Sequence, residues 1–280
     1  AGVSQKKVEA ASTGKLSVTG YQDYNDAQKI LKEVNKYRKK NGRKALKMDR
    51  GLTNSAIMRG FETTIYIPET SPHRRPNGKL SKSINKKIIY ENCAQSAETT
   101  PKQIVKGWIN SSTHRKGLLL SNAKSVGVAA VTVVSRDGYE ANTWVLDFSS
   151  SKAKKVEKSK ARKQFTKNIV TKNSYLKKSY LKLDSRYGTI WETEKMQMKP
   201  TYQGKMMKEY GVYPTVINTS SFTSWKSSNP SVASVDSNGR ITGNKAGTAT
   251  ISAKLKTGTK ITMSKKIKVV PTNQQIDPWE

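Results

Sequence analysis

The sequence predicts an α+β domain followed by an all-β domain. Its 280 residues suggest about two domains. Helical periodicity comes first and two β-rich runs come last within residues 23–150, which favours an antiparallel sheet covered by helices. Beyond Ser179 the apolar residues lie in short alternating runs separated by turn residues, a pattern typical of an all-β fold.

Changes in composition predict where these domains begin and end. Residues 1–22 are small and polar, and we interpret them as a flexible lead-in. The α+β domain spans 23–150 and the all-β domain spans 179–271, followed by a polar tail at 272–280. Between the domains, residues 151–178 carry many lysines against Glu157 alone, so they form either a solvated linker or a polybasic contact to an anionic surface.

Two amphipathic helices open the first domain. The first is predicted to begin at Asn25 or Asp26 and to end at Gly42. The second begins after Asp49, and its Gly60 allows close packing against a neighbour. Glu62 lies near the end of this second helix, where it either reaches toward the following loop or is a solvated helix carboxylate.

The chain between residues 66 and 115 carries the candidate site. Residues 66–82 form a long proline-containing loop that holds His73. A turn is predicted at Glu91-Asn92. A further helix is predicted to start at Thr100-Pro101, with Trp108 on its buried face. This helix is interrupted at Ser111-Ser112-Thr113, which cap the next segment of chain, and that segment carries His114. Strands at Val126–Val134 and Tyr139–Phe148 complete the domain.

His73 and His114 are the only histidines in the chain. Together with the Glu91 carboxylate they would supply part of the ligand set of a divalent metal such as zinc. They are equally suited to act as a proton-handling pair.

The formal net charge of +32 indicates a polyanionic partner. Nucleic acid, teichoic acid, anionic lipid headgroups and sulfated glycans all qualify. Lysine outnumbers arginine, which favours diffuse electrostatic adhesion over recognition of a nucleotide sequence. No nucleic-acid recognition motif stands out either, so sequence-specific nucleic-acid binding is not expected.

The single cysteine, Cys93, excludes an intramolecular disulfide. We interpret it as a small buried residue, with a catalytic thiol as the alternative. No apolar run reaches the ~18 residues of a membrane span, and no signal peptide is visible.

The motifs around both histidines and Glu91 resemble the CAP superfamily (cysteine-rich secretory proteins, antigen 5 and pathogenesis-related 1) in its bacterial SCP-like form. The matching segments are Ser71-Pro72-His73-Arg74-Arg75-Pro76-Asn77-Gly78, Tyr90-Glu91-Asn92, and Trp108-Ile109-Asn110-Ser111-Ser112-Thr113-His114. The resemblance implies an α-β-α sandwich and a cleft formed by His73, Glu91 and His114, with Glu62 nearby. The second Glu of the animal tetrad has no clear equivalent, because its place falls near Asn110 or Ser111.

The all-β region resembles the bacterial Ig-like domain, group 2. The shared signature is Trp225-Lys226-Ser227-Ser228-Asn229-Pro230, then Val232-Ala233-Ser234-Val235-Asp236, Asn238-Gly239, and Ala246-Gly247-Thr248-Ala249-Thr250-Ile251. The resemblance implies a spacer or adhesion module. Trp225 is expected to fill its core, and Asn238-Gly239 to form a hairpin turn.

Three functions are compatible with the sequence. The first is a secreted or cell-surface binding protein, expected to be monomeric. Its cleft would bind a divalent metal, a lipid or a cell-wall fragment, and its basic surface would bind anionic envelope polymers or lipids. The second is an extracellular hydrolase of peptides or cell wall. It would use a metal-bound or Glu91-activated water with a histidine such as His114 as acid or electrophile, or Ser111 or Ser112 as nucleophile. The third is a nucleic-acid binder, which only the charge suggests.

Overall fold

The computed structural model describes residues 12–65, 73–96 and 99–276. The chain folds into two compact units. The N-terminal unit contains Ser17–Ile169 together with Thr201–Asn218, and the C-terminal unit contains the other described residues. No helix in the described ranges is both long and apolar enough to cross a membrane.

A six-stranded sheet is the framework of the N-terminal unit. Its strands are β1 (Thr13–Asp23), β2 (Lys47–Met48), β3 (Ile88–Ser96), β4 (Ser125–Val134), β5 (Glu140–Ser149) and β6 (Arg162–Lys172). Their order is β3-β5-β4-β1-β6, with β2 parallel to β4. The β3–β5, β5–β4 and β4–β1 pairs are antiparallel, as predicted for the two long strands.

Four helices pack on this sheet: α1 (Tyr24–Lys40), α2 (Arg50–Ile65), α3 (Pro101–Asn110) and α4 (Ser112–Leu118). The cap of α1 is Asp23, whose side chain accepts a hydrogen bond from the Asp26 amide, so the helix begins slightly before the predicted position. Thr100 and Gln103 form a capping box at the start of α3, with Pro101 in the first turn. The predicted break between α3 and α4 is confirmed.

Helix α2 lies on one face of the sheet at very close range. A Cβ on Gly60 would stand 2.8 Å from the Val131 side chain, and one on Gly127 would stand 2.2 Å from the Leu52 carbonyl oxygen. Only glycine permits this approach of helix to strand. The sequence-based expectation of close packing at Gly60 agrees with this geometry.

The opposite face of the sheet carries the main hydrophobic core. Side chains from α1, α3 and α4 pack there against alternate residues of β4 and β5, including Trp144 and Phe148. Trp108 is 2% exposed, so its prediction as a core residue is confirmed. The layers are therefore α2, the sheet, and then α1 with α3 and α4.

Three local predictions are wrong. The flexible lead-in is wrong for residues 13–22, because β1 hydrogen-bonds to β4 there. The linker is wrong for 162–172, which form β6, and residues 154–157 are held by hydrogen bonds to Met48 at the end of β2, to the Asp49 side chain and to Arg50 at the start of α2. Glu91-Asn92 is not a turn, because both residues lie within β3 and pair with β5.

The other strands and the last α-helix follow β6. They are β7 (Leu181–Lys182), β8 (Thr189–Trp191), β9 (Lys195–Gln197), β10 (Thr201–Tyr202), α5 (Lys205–Glu209), β11 (Thr215–Val216), β12 (Phe222–Ser227), β13 (Ala233–Val235), β14 (Arg240–Gly243), β15 (Gly247–Leu255) and β16 (Thr262–Val270). The elements β10, α5 and β11 belong to the N-terminal unit, contrary to the prediction of one all-β domain over 179–271. The Thr215 hydroxyl donates to the Thr64 carbonyl at 2.6 Å, which ties this segment to the end of α2.

The C-terminal unit contains a four-stranded sheet, β12-β15-β16-β8, and a three-stranded sheet, β13-β14-β9. The predicted turn at Asn238-Gly239 is confirmed: Gly239 has a φ of 72° between β13 and β14. Trp225 is only partly buried and packs edge-on against Phe222, with ring centroids 6.1 Å apart. It covers the core of this unit instead of filling it.

Candidate functional site

A fully buried arginine, Arg59, is the electrostatic centre of the candidate site. It projects from α2, is 0% exposed, and binds two carboxylates. Its Nε and Nη2 donate to Glu91 at 2.9 and 3.1 Å, and its Nη1 donates to Glu62 at 2.8 Å. The forked guanidinium therefore connects the helix to β3 with charge-assisted hydrogen bonds.

Glu91 is held in its ionised form. Burial alone would raise the pKa of this carboxyl, but the hydrogen bond from His73 and the charge and hydrogen bonds of Arg59 lower it to about 2. Its side chain is 2% exposed. A permanent negative charge thus lies beneath the surface, balanced by the guanidinium.

Asp147 lies opposite Glu91 on the neighbouring strand β5 and is fully buried. Neither oxygen of its carboxyl receives a hydrogen bond from any residue in the described ranges. Burial, followed by the charge of Glu91, raises the pKa of Asp147 well above its usual value. Asp147 is therefore the neutral partner of the pair, and its proton is available for a hydrogen bond to Glu91.

His73 is fixed by Glu91. Its Nδ1 lies 2.9 Å from the Glu91 Oε1, and its side chain is 38% exposed. Because an ionised carboxylate can only accept, Nδ1 carries the proton. This contact sets the orientation of the ring, as a carboxylate does for a metal-binding histidine.

Glu62 does not reach His73 directly. It is 1% exposed and accepts from Arg59 and from Arg75, whose Nη2 is 2.8 Å from the Glu62 Oε1. Arg75 follows His73 by two residues, so Glu62 anchors the segment that carries His73. The alternative that Glu62 is a solvated helix carboxylate is wrong.

His114 lies in α4 and is held by different neighbours. Its Nδ1 is 3.0 Å from the Ser111 hydroxyl, and its backbone carbonyl accepts from the Asn92 side chain at 2.9 Å. Burial, and then the charge of His73, lowers the pKa of His114. The two imidazoles are therefore within electrostatic range of each other, and His114 is neutral at pH 7.

One group of potential metal ligands occurs among the described residues: His73, Glu91 and Cys93, whose ligand atoms lie within 4.8 Å of one another. The Cys93 thiol donates to Glu91 at 3.2 Å, and burial raises its pKa well above the usual value. Both Glu91 oxygens already accept hydrogen bonds from Arg59, and Oε1 also accepts from His73 and Cys93. A cation at this group would displace those hydrogen bonds and lie beside a buried positive charge, which is unfavourable.

The two histidines are held by different partners. Nδ1 of His73 contacts Glu91, and Nδ1 of His114 contacts Ser111. Nε2 of a neutral imidazole is a common zinc ligand.

The sequence identified His73, Glu91 and Glu62 as neighbours, and the structure connects them through Arg59. The sequence analysis did not assign a role to Arg59, Arg75 or Asp147. Two of these residues could have been found as charged residues within apolar stretches, namely Arg59 in Ile57-Met58-Arg59-Gly60-Phe61 and Asp147 in Trp144-Val145-Leu146-Asp147-Phe148.

Two family models match the chain. Residues 31–148 match the CAP model, described as the cysteine-rich secretory protein family, and residues 203–265 match the bacterial Ig-like domain, group 2. The protein named "Uncharacterized protein YkwD" of Bacillus subtilis is 31% identical over 130 residues. That alignment covers 45% of this chain and 48% of the relative, so the chain spans about half the length of the curated relative it matches.

Two solved structures are similar to part of the chain. An extracellular protein containing an SCP domain from Bacillus anthracis is 21% identical, with a TM-score of 0.35 over 45% of this chain and 41% of its own. An outer surface protein from Borrelia burgdorferi is 19% identical, with a TM-score of 0.35 over 48% of this chain and 99% of its own.

The predicted order of domains is therefore confirmed. The chain carries a CAP domain at residues 31–148, followed by a bacterial Ig-like domain of group 2. The cluster formed by Arg59, Glu91, Asp147 and His73 lies within the matched CAP segment.

Proposed function

We propose that this protein is a secreted or cell-surface binding protein of the bacterial envelope, whose CAP domain binds a divalent cation through His73 and His114. The Ig-like domain serves as its spacer or adhesion module. The description of the matching family as secretory supports secretion, and the match to a Bacillus protein supports a bacterial setting.

The observation that carries this proposal is the engagement of Nδ1 in both imidazoles. Glu91 holds one ring and Ser111 holds the other, and the charge of His73 acts on His114. Imidazoles held in this way each offer one ring nitrogen to a cation. Protein carboxylates do not complete the shell, because Glu62 and Glu91 are occupied by arginines, so a ligand group or water would supply the remaining positions.

Titration calorimetry with zinc tests the cation site. We expect binding of one ion per wild-type chain, and a loss of affinity of at least about tenfold in His114→Ala and in His73→Ala, because each removes one of two protein ligands. Affinity is also expected to fall when pH is lowered well below 6.5, because zinc binds the neutral His114 ring, whose pKa burial holds below its usual 6.5.

Thr113→Ala is the matched control, since Thr113 is exposed next to His114 and contributes only its backbone carbonyl to the hydrogen bond from Tyr90. This variant is expected to bind zinc like wild type. Equal heats for wild type and His114→Ala would contradict the proposed site.

The partner of the cationic surface is proposed to be an anionic envelope polymer such as teichoic acid. Seven exposed basic residues lie within residues 151–163, which we call the basic segment: Lys152, Lys154, Lys155, Lys158, Lys160, Arg162 and Lys163. The one acid in this segment, Glu157, is buried and paired with Arg50 at 3.0 Å. Its charge is thus compensated internally, and the basic segment presents a concentrated positive charge.

Cosedimentation with teichoic-acid-bearing cell walls tests this partner. Replacing Lys154, Lys155, Lys158 and Lys160 by glutamine is expected to weaken adsorption by about tenfold or more at low salt, because each lysine near an anionic surface contributes up to about 1 kcal/mol. The control replaces four exposed lysines of the Ig-like unit: Lys254, Lys256, Lys266 and Lys268. An equal loss in both variants would contradict a localised contact.

An extracellular hydrolase is the second candidate, and the contact between Ser111 Oγ and His114 Nδ1 at 3.0 Å favours it. Such a contact is the first requirement for an activated serine. The described residues place no carboxylate on His114, so the third member of a triad is missing from this part of the chain. Peptidase and cell-wall hydrolysis assays of wild type and Ser111→Ala distinguish the two functions, because only an enzyme loses activity with Ser111.

A further inference from the structure

A groove in the N-terminal unit has no role in the proposed function. It has a volume of about 730 Å³, within the range of small-molecule sites. Its walls come from the β4–β5 turn at Tyr139 and Glu140 and from the segment between α5 and β11 at Tyr210 and Tyr213. None of these residues belongs to the cluster around Glu91.

Exposed aromatic rings form the rim of this groove. Tyr139 and Tyr213 stack with ring centroids 4.6 Å apart and planes inclined by 8°. Tyr139, Tyr210 and Tyr213 are 55%, 69% and 52% exposed, the three most exposed of the large hydrophobic side chains among the described residues. Solvent-exposed aromatic surface at a groove indicates a binding site, because water contact with it is unfavourable.

The groove contains little charge, unlike the rest of the molecule. Lysine and arginine make up 52 of the 280 residues, yet neither occurs among the fourteen residues that line the groove. The only charged lining residue is Glu140, whose carboxylate accepts from Arg162 at 3.2 Å. A polyanion would find little counter-charge among these lining residues, which favours an uncharged occupant.

The floor of the groove is polar and supplies hydrogen-bonding groups. It contains hydroxyl and amide side chains: Thr64, Gln95, Ser96, Asn142 and Thr143. Asn142 Nδ2 and Gln95 Oε1 have no hydrogen-bond partner within the described ranges, although the other end of each amide is engaged. One donor and one acceptor are therefore presented in fixed orientation, which disfavours a lipid tail.

We infer that this groove binds a neutral glycan strand, with a pyranose ring stacked on the tyrosines and its hydroxyl groups bonded to Asn142 and Gln95. A pyranose combines an apolar C–H face, which suits the electron-rich face of an aromatic ring, with several hydroxyls around its edge. A proline-rich peptide also packs on aromatic grooves, but it presents only backbone carbonyls to a floor that offers both donors and acceptors.

Calorimetry and saturation-transfer NMR on the full chain test this site with two probes, the β-1,4-linked pentasaccharides of N-acetylglucosamine and of glucose. We expect at least one to bind saturably, with affinity unchanged between about 50 and about 500 mM NaCl because no ion pairs form. Tyr213→Ala is expected to weaken binding by about tenfold or more, while Tyr213→Phe keeps the ring and stays within about twofold of wild type.

Tyr187→Ala is the matched control, since Tyr187 is 37% exposed and lies outside the groove. It is expected to bind like wild type. The inference is overturned if neither pentasaccharide binds up to about 10 mM, if Tyr213→Ala binds like wild type, or if a proline-rich peptide binds at the tyrosines and the sugars do not. Zinc binding at the histidines is measured separately, so failure of either site leaves the other result intact.

Discussion

Replacing Arg59 by methionine is expected to destabilise the N-terminal unit by about 3–5 kcal/mol, because the substitution leaves buried carboxylates without their cation. Glu91 and Glu62 are 5% and 1% exposed, and Arg59 donates to both. Methionine matches much of the volume of the arginine stem, so the loss comes from charge and not from a cavity. Urea unfolding at pH 7 measures the effect.

The pH dependence of the Arg59→Met variant identifies its cause. Without the guanidinium, the carboxyls must bind protons or remain as buried charges, so the deficit relative to wild type should shrink as pH falls toward about 4. Arg162→Met is the control, because Arg162 pairs with Glu140 while both side chains are about half exposed. That surface pair is expected to contribute about 0–1 kcal/mol. A similar small loss in both variants would contradict the central role of Arg59.

Replacing Asp147 by asparagine is expected to stabilise the protein at pH 7. The unfolded Asp147 ionises above its ordinary pKa of 3.8, whereas burial raises the pKa of the folded carboxyl well above that value. Folding therefore takes up one proton between these two values, and stability decreases by about 1.4 kcal/mol per pH unit there. An asparagine amide donates to Glu91 without taking up a proton.

The measurement is the difference in unfolding free energy between Asp147→Asn and wild type as pH rises above about 4.5. It should grow with pH at about 1.4 kcal/mol per unit for as long as the folded carboxyl keeps its proton. Glu91 behaves in the opposite way: its folded pKa of about 2 lies below its ordinary 4.5, so its contribution is complete above pH 4.5 and is lost as pH falls toward 2. It therefore leaves the range above pH 4.5 unaffected. Parallel stability curves for the two proteins would show that Asp147 is ionised in the folded state.

Periodicity predicted the framework because the helices and strands of the N-terminal unit are amphipathic or continuously apolar. The apolar face of α1 and the long strands β4 and β5 are where the patterns place them. β1 and β6 were missed because their hydrogen bonds join residues far apart in sequence. The lysine-rich composition around β6 is typical of solvated chain, and its side chains are indeed mostly exposed.

The candidate site was only partly predictable. Turn residues and the scarcity of histidine identified His73, Glu91 and His114. The buried charges were missed because Arg59 and Asp147 lie on adjacent layers, the helix and the sheet, and come together only when α2 packs on the sheet. Gly60 and Gly127 permit that approach, and it brings the guanidinium onto Glu91.

In the proposed site, Glu91 and Ser111 hold the two imidazoles so that both Nε2 atoms bind one cation. Long-range ¹H–¹⁵N NMR of the labelled protein observes these nitrogens directly, since the chain has only two histidines. Before zinc is added, His73 should carry its proton on Nδ1. With one equivalent of zinc, the Nε2 signals of both rings should shift together while their Nδ1 signals keep protonated-nitrogen values. A response from one ring alone, or from neither, would contradict the account.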